Sequence, residues 1–133
     1  MRTGIAELAS KLRKREISAV ELTKTYINNI EKLNPTLNAY VHLTFDIALK
    51  TAEQADQMLK EDDAPLLCGI PMALKDNICT DGLPTTCCSK ILDGFKPYYD
   101  ATVWEKLRAQ GAILLGKTNM DEFAMGSTSE TSC

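Results

Sequence analysis

The chain has 133 residues, of which 44% are hydrophobic and 25% are charged, and its formal net charge is −3. These values are typical of one globular domain with a hydrophobic core, and the acidic balance argues against a nucleic-acid-binding surface that spans the whole chain. No apolar stretch reaches the roughly 18 to 20 residues that a membrane-spanning helix requires.

The cysteine content indicates the cellular compartment. The five cysteines are an odd number, and they show no Cys-x-x-Cys spacing and no histidine at a metal-ligand spacing. Such a set predicts neither a zinc site nor the disulfide framework of a secreted protein. We therefore expect free thiols and a cytoplasmic protein, with an organellar stroma or matrix as the alternative.

The first third of the chain is predicted to be helical. Apolar residues at helical spacing predict a short helix over residues 4–14. Ser18 and Glu21 form a capping box, which predicts the start of a second helix over residues 18–33. We expect this helix to end before Pro35, because proline removes a backbone donor from a helix.

The periodicity changes at Pro65. Before it, small apolar residues recur at helical spacing after Thr44 and predict a third helix. After it, residues 67–74 are almost continuously apolar and too short for an independent helix. This run predicts a strand that is buried on both faces.

A helix and a second strand are predicted next. Asp100 is a candidate N-cap for a helix over residues 101–110, and Gly111 is its expected C-terminal stop. Residues 112–115 then form another short apolar run that we expect to end at Gly116. A strand, a helix and a strand in this order predict a parallel unit of an α/β sheet.

Lys75 stands at the end of the first apolar run, where an ammonium group is costly to bury. Because side chains alternate along a strand, Lys75 and Asp76 face opposite sides, and an ion pair between them is not expected. A buried Lys75 would have to lose its proton or be held by hydroxyl and carbonyl groups, and either arrangement suits a base. The alternative is a lysine whose stem packs on the sheet while its ammonium group reaches solvent.

Three segments of the chain carry a family resemblance: residues 69–77, residues 85–87 and residues 100–127. Together they resemble the amidase signature family. The resemblance implies an α/β fold in which N-terminal helices are followed by part of a mixed sheet with helices on both faces. It also implies that residues 1–65 form a helical region and residues 66–133 form the start of the α/β core, within one incomplete amidase domain.

The resemblance also implies the site residues. Members of this family use a Ser, cis-Ser, Lys triad, and by position Lys75 is the catalytic lysine, which takes the proton of the nucleophile through the bridging cis-serine. Met125, Gly126 and Ser127 are implied to line the substrate pocket. The glycine- and serine-rich loop that supplies both serines is expected to follow beyond Cys133, and no metal site is implied.

Within the family, residues 85–87 and 117–123 are most similar to the amidotransferase A-subunit branch. That similarity implies hydrolysis of glutamine, with the ammonia used to convert glutamyl-tRNA(Gln) to glutaminyl-tRNA(Gln). The implied partners are a B subunit, which holds the tRNA and uses ATP and magnesium, and a small C subunit. The alternatives are a general amidase of the same family and an inactive chain with only a binding or assembly role.

Overall fold

The computed structural model describes residues 4–133. This part of the chain forms four helices and three strands, and two short 3-10 turns, Lys90–Leu92 and Glu122–Ala124, lie in the loops. In chain order the elements are α1 (Ile5–Arg13), α2 (Ala19–Leu37), β1 (Tyr40–Leu43), α3 (Phe45–Met58), β2 (Pro71–Lys75), α4 (Thr102–Ala109) and β3 (Ile113–Thr118). None of the described helices is long and apolar enough to cross a membrane.

The start of α2 is confirmed, but its predicted end is wrong. Ser18 accepts a hydrogen bond from the backbone of Glu21, whose side chain bonds back to the Ser18 backbone, as a capping box requires. The helix continues through Pro35 to Leu37 and is capped by Asn38, whose φ of 53° is left-handed. Glu31, four residues before the proline, is exposed, so the carbonyl that loses its helical donor can bind water.

The sheet has the order β1-β3-β2, with β1 antiparallel and β2 parallel to β3. This confirms the mixed sheet and the parallel pairing of the two predicted strands. β3 passes Gly116 and reaches Thr118 because it is paired along both edges. At Gly116 the absence of a side chain is necessary, since an added Cβ would collide with the carbonyl oxygen of His42 on β1.

β2 begins later than predicted. The residues before Pro71 form turns, in which the amide of Cys68 bonds to Pro65 and the amide of Ile70 bonds to Leu67. β2 is half-buried over most of its length, whereas β3 is buried over all but its last residue. The strand that is buried on both faces is therefore β3 alone.

Helices cover both faces of the sheet, as expected. One core cluster joins α1, α2 and α3 to one face, where Ile113 and Leu115 of β3 are buried. A second cluster joins α4 to the opposite face through Trp104, which packs with Leu74 and Leu114. Since consecutive β3 residues point to opposite faces, a short strand supplies both clusters.

The start of α4 differs from the prediction in its capping residue. The N-cap is Ala101, which provides no side-chain bond, rather than Asp100. The Asp100 carboxylate accepts a bond from the backbone of Asp81 at 2.7 Å and pairs with Arg108 at 2.9 Å. Asp100 therefore holds the long connection before α4 against the helix. The predicted stop at Gly111 is confirmed by its φ of 74°.

A substitution at Gly111 tests this close packing. A Cβ there would lie 3.0 Å from the Cα of Cys68, whereas a Cβ at Gly94, with a similar φ of 78°, would meet nothing within 4 Å. We expect Gly94→Ala to cost about 1 kcal/mol for its left-handed backbone. Gly111→Ala should cost about 1 to 3 kcal/mol more because its neighbours must shift.

Urea unfolding of the 133-residue chain and of the two variants measures both costs. Equal losses of unfolding free energy in the two variants would contradict the packing at Gly111.

Candidate functional site

Lys75 is the last residue of β2, and its side chain is exposed. The alternation predicted for this segment is confirmed, because Leu74 and Asp76 are buried while Lys75 and Asn77 are exposed. The expected burial of Lys75 is wrong for this chain, and the alternative, an ammonium group that reaches solvent, describes the side chain as observed. Its catalytic role therefore stays a prediction from position and resemblance.

The buried lysine is Lys117, one residue before the end of β3, whose side chain has no exposed surface. Its Nζ donates to the carbonyl oxygen of Ile78 at 2.8 Å and to Oγ1 of Thr85 at 2.8 Å, with a longer bond to the carbonyl of Pro84 at 3.4 Å. Nζ also lies 3.6 Å from Oδ1 of Asp76. An ammonium group has three protons, and here oxygen atoms surround all of them.

Asp76 is equally buried and directly follows Lys75. Its Oδ2 accepts bonds from the backbone amide of Thr86 at 3.0 Å and from its hydroxyl at 2.6 Å. Within residues 4–133, Oδ1 accepts no hydrogen bond, so its only strong interaction is the attraction of the Lys117 ammonium group. The carboxylate thus joins the end of β2 to the 85–88 loop and to β3.

The electrostatics of the pair are set mainly by burial. Removal from water lowers the pKa of Lys117 from its ordinary value, and the negative charge of Asp76 partly opposes that shift. Removal of one partner from a buried pair of this kind leaves the charge of the other uncompensated, which is strongly destabilising.

The 85–88 loop, residues 85–88, packs over this ion pair in a constrained backbone conformation. Cys87 and Cys88 have φ angles of 52° and 50°, which are uncommon for residues with a side chain. The amide of Cys87 bonds to the carbonyl of Asp76, and the thiol of Cys88 donates to Oδ1 of Asn119 at 3.1 Å. Burial is the main cause that raises the pKa of the Cys88 thiol to about 11, so this thiol is a poor nucleophile at neutral pH.

Met125, Gly126 and Ser127 lie in the segment that follows β3, and all three are exposed. The segment is tied to the 85–88 loop by a bond from the amide of Phe123 to the carbonyl of Cys87. Gly126 packs so closely that an added Cβ would lie 2.5 Å from Cγ of Asp121. Because β2 and β3 are parallel, Lys75 and the start of the segment that follows β3 lie at the same edge of the sheet.

A cleft of about 270 Å³ opens beside the 85–88 loop. Thr86, Cys88 and Cys133 form part of its wall, whereas Lys75 and residues 125–127 do not. Within residues 4–133, no group of three His, Cys, Asp or Glu side chains is arranged to hold a metal ion.

Sequence reasoning missed Asp76 and Lys117 as partners. A usable signal was present, since Asp76 directly follows β2 and Lys117 stands near the end of β3, and the two residues carry opposite charges. Parallel strands end at the same edge, so these charges are expected to meet there. The cost of burying an ammonium group does arise at this edge of the sheet, but it arises at Lys117 rather than at Lys75.

Two lysine substitutions separate these interpretations. Lys117→Met leaves the Asp76 carboxylate buried and unpaired, and we expect a loss of about 3 to 5 kcal/mol in unfolding free energy. Lys75→Met, at an exposed side chain, should change it by less than about 0.5 kcal/mol.

Adding Asp76→Asn to Lys117→Met should recover part of the loss, because the uncompensated charge is removed. Urea unfolding of the parent chain and the three variants gives the four values. A larger loss for Lys75→Met than for Lys117→Met would contradict the assignment.

The chain matches known proteins over most of its length. The family model described as Amidase matches residues 21–133. The glutamyl-tRNA(Gln) amidotransferase A subunit of Gloeothece citriformis is 52% identical over 130 residues, which cover 97% of this chain and 27% of that protein. The same subunit of Prochlorococcus marinus is 53% identical over 127 residues, which cover 95% of this chain and 26% of that protein.

Solved structures show the same fold. The peptide amidase of Stenotrophomonas maltophilia superposes with a TM-score of 0.85 at 36% identity, over 92% of this chain and 26% of that one. An amidase family protein of Bacillus anthracis superposes with a TM-score of 0.83 at 30% identity, over 92% of this chain and 25% of that one. The chain spans about a quarter of the length of the curated relatives it matches. With the family model, the identities and the fold in agreement, the chain belongs to the amidase signature family.

Proposed function

We propose that the chain is part of the glutamine-hydrolysing subunit of a tRNA-dependent amidotransferase, which supplies ammonia for the conversion of glutamyl-tRNA(Gln) to glutaminyl-tRNA(Gln). The observation that carries this proposal is the 52% identity, over nearly the whole chain, with the A subunit of an amidotransferase. The second candidate is a general amidase, because the peptide amidase of known structure shares the fold at 36% identity. The higher identity favours the amidotransferase.

Lys75 is the proposed proton acceptor. It stands at the carboxyl edge of two parallel strands, where open α/β sheets place their ligands. Within residues 4–133 it forms no ion pair, so its amino group is not engaged by a carboxylate. A lysine in this state can serve as a base once a nucleophile is placed against it.

In the proposed reaction, Lys75 removes the proton of a serine hydroxyl through a second, bridging serine. The serine oxygen attacks the side-chain amide carbon of glutamine and forms an acyl-enzyme, and the nitrogen leaves as ammonia after it takes up a proton. Water then hydrolyses the ester to glutamate. By resemblance, both serines belong to the part of the relatives' length that this chain does not span, while Met125, Gly126 and Ser127 line the pocket that holds glutamine.

The proposed partners follow from the same relatives. A B subunit would hold glutamyl-tRNA(Gln) and activate it with ATP and magnesium, and a C subunit would complete a heterotrimer. The net charge of −3 supports a division of labour in which the tRNA is held mainly by the B subunit. No cofactor is proposed for this chain itself, and the assembly is proposed to work in the cytoplasm.

Substitution of Lys75 in the full-length protein, meaning the gene product that contains this chain, tests the proposal. We expect Lys75→Ala to lower the rate of ammonia release from glutamine by a factor of about 10² to 10⁴, the usual contribution of a general base. Lys106→Ala, at an exposed lysine on α4, is the matched control and should retain the activity of the parent. Ammonia release is followed with a coupled enzymatic assay.

The choice of substrate decides between the candidates. Release of ammonia from glutamine that is coupled to amidation of glutamyl-tRNA(Gln), with ATP supplied, supports the amidotransferase. Hydrolysis of peptide amides in preference to glutamine would favour the general amidase. Unchanged activity in Lys75→Ala would contradict the role of Lys75 in either enzyme, and absence of any amide hydrolysis would leave a binding or assembly role.

A further inference from the structure

We propose that Asp76 is a positioning residue for Lys75, with Lys117 as its counter-ion, and that this buried pair holds the proposed catalytic lysine at the edge of the sheet. The inference rests on the proposed function of Lys75. Neither Asp76 nor Lys117 is assumed to touch the substrate.

The backbone on both sides of Lys75 is held by β3. Lys75 lies opposite Thr118 in the parallel register. The carbonyl of Leu74 accepts a bond from the Thr118 hydroxyl at 3.4 Å, and the amide of Asp76 donates to the Thr118 carbonyl at 3.1 Å. The two peptide units that flank Lys75 are therefore both bonded to one residue of β3.

The direction of the Lys75 side chain is linked to that of Asp76. Successive side chains in an extended segment point to opposite sides, so a fixed direction for Asp76 determines the direction of Lys75. Asp76 is anchored in the interior by two bonds from Thr86 and by Lys117. Any rotation of this segment that turned Lys75 inward would bring the Asp76 carboxylate out of its bonds and leave the Lys117 charge buried and unpaired.

The same pair connects the other segments of the site. Thr85 and Thr86 contact Lys117 and Asp76 respectively, which fixes the 85–88 loop over the ends of β2 and β3. That loop in turn accepts the amide of Phe123, just before residues 125–127. One ion pair thus determines the relative positions of the proposed base and of the segment proposed to line the pocket.

The charge of the pair also matters to the lysine beside it. The groups that face the Lys117 ammonium group are the Asp76 carboxylate and the thiols of Cys79 and Cys87. Burial raises the pKa of Cys87, so that thiol adds no negative charge at neutral pH. The pair is therefore close to neutral as a unit, and removal of one partner alone leaves an unbalanced charge near Lys75.

The first experiment measures glutamine hydrolysis by the full-length protein with Asp76→Asn, a substitution of nearly equal shape. We expect kcat to fall about 100-fold, as for a reacting group displaced by about 1 Å, while KM changes less than about threefold. Asp100→Asn is the matched control, because the Asp100 carboxylate is also buried, with a backbone bond and a cationic partner, but it lies in the connection before α4. It should retain the kcat of the parent.

The second experiment gives a readout that a merely structural role would not move. In Lys117→Met the carboxylate beside Lys75 is unbalanced and favours the protonated amine, so the acidic limb of the pH profile of kcat should move to higher pH. In the double variant Asp76→Asn/Lys117→Met the pair is neutral again, and the limb should return to its original position.

The outcomes distinguish the two proposals. Full activity in Lys75→Ala overturns the proposed function, and the positioning role with it. Loss of activity in Lys75→Ala together with an unchanged kcat in Asp76→Asn overturns the positioning role alone. An acidic limb that stays in place in Lys117→Met also overturns it, even if that variant is less stable and less active.

Discussion

The arrangement of this chain depends on an ion pair that has no access to water, between Asp76 at the end of one strand and Lys117 near the end of its neighbour. Burial of two charges costs several kcal/mol per ion, and their attraction offsets that cost only if the remaining protons and lone pairs are also bonded. The structure meets most of this requirement with two threonine hydroxyls, two carbonyls and one amide. The polar loop after β2 folds over the pair because its hydroxyl, carbonyl and amide groups form hydrogen bonds with these buried charges.

The rest of the site follows from this pair and from the position of β3. β3 is the central strand and serves two hydrophobic clusters, one with α1 to α3 and one with Trp104 of α4. The packed layers end at the edge of the sheet where β2 and β3 end, and the polar loops begin there. Such a division is common in α/β proteins, in which loops at the carboxyl ends of the strands carry the chemistry and the layers behind them fix its geometry. Lys75 lies at the boundary between the two.

Local sequence signals predicted which helices and strands form better than they predicted the residues at which these begin and end. The capping box at Ser18 and the left-handed glycine at position 111 act within a few residues, and both were predicted correctly. The expected stop at Pro35 failed because the lost donor lies on the exposed side of α2. Asp100 failed as a cap because Arg108 and the amide of Asp81 provide better partners for its carboxylate. In both cases the outcome depended on the three-dimensional surroundings of the residue, which a rule based on neighbouring sequence does not include.

By itself the sequence determined the family, the mixed α/β architecture and the alternation that separates Lys75 from Asp76. These follow from side-chain periodicity and from shared motifs, which need no knowledge of distant contacts. Only the tertiary structure decided which lysine is buried and what compensates its charge. The reason is that burial depends on what packs against a side chain: Lys117 meets Asp76, 41 positions earlier in the sequence, only after two parallel strands have been brought side by side.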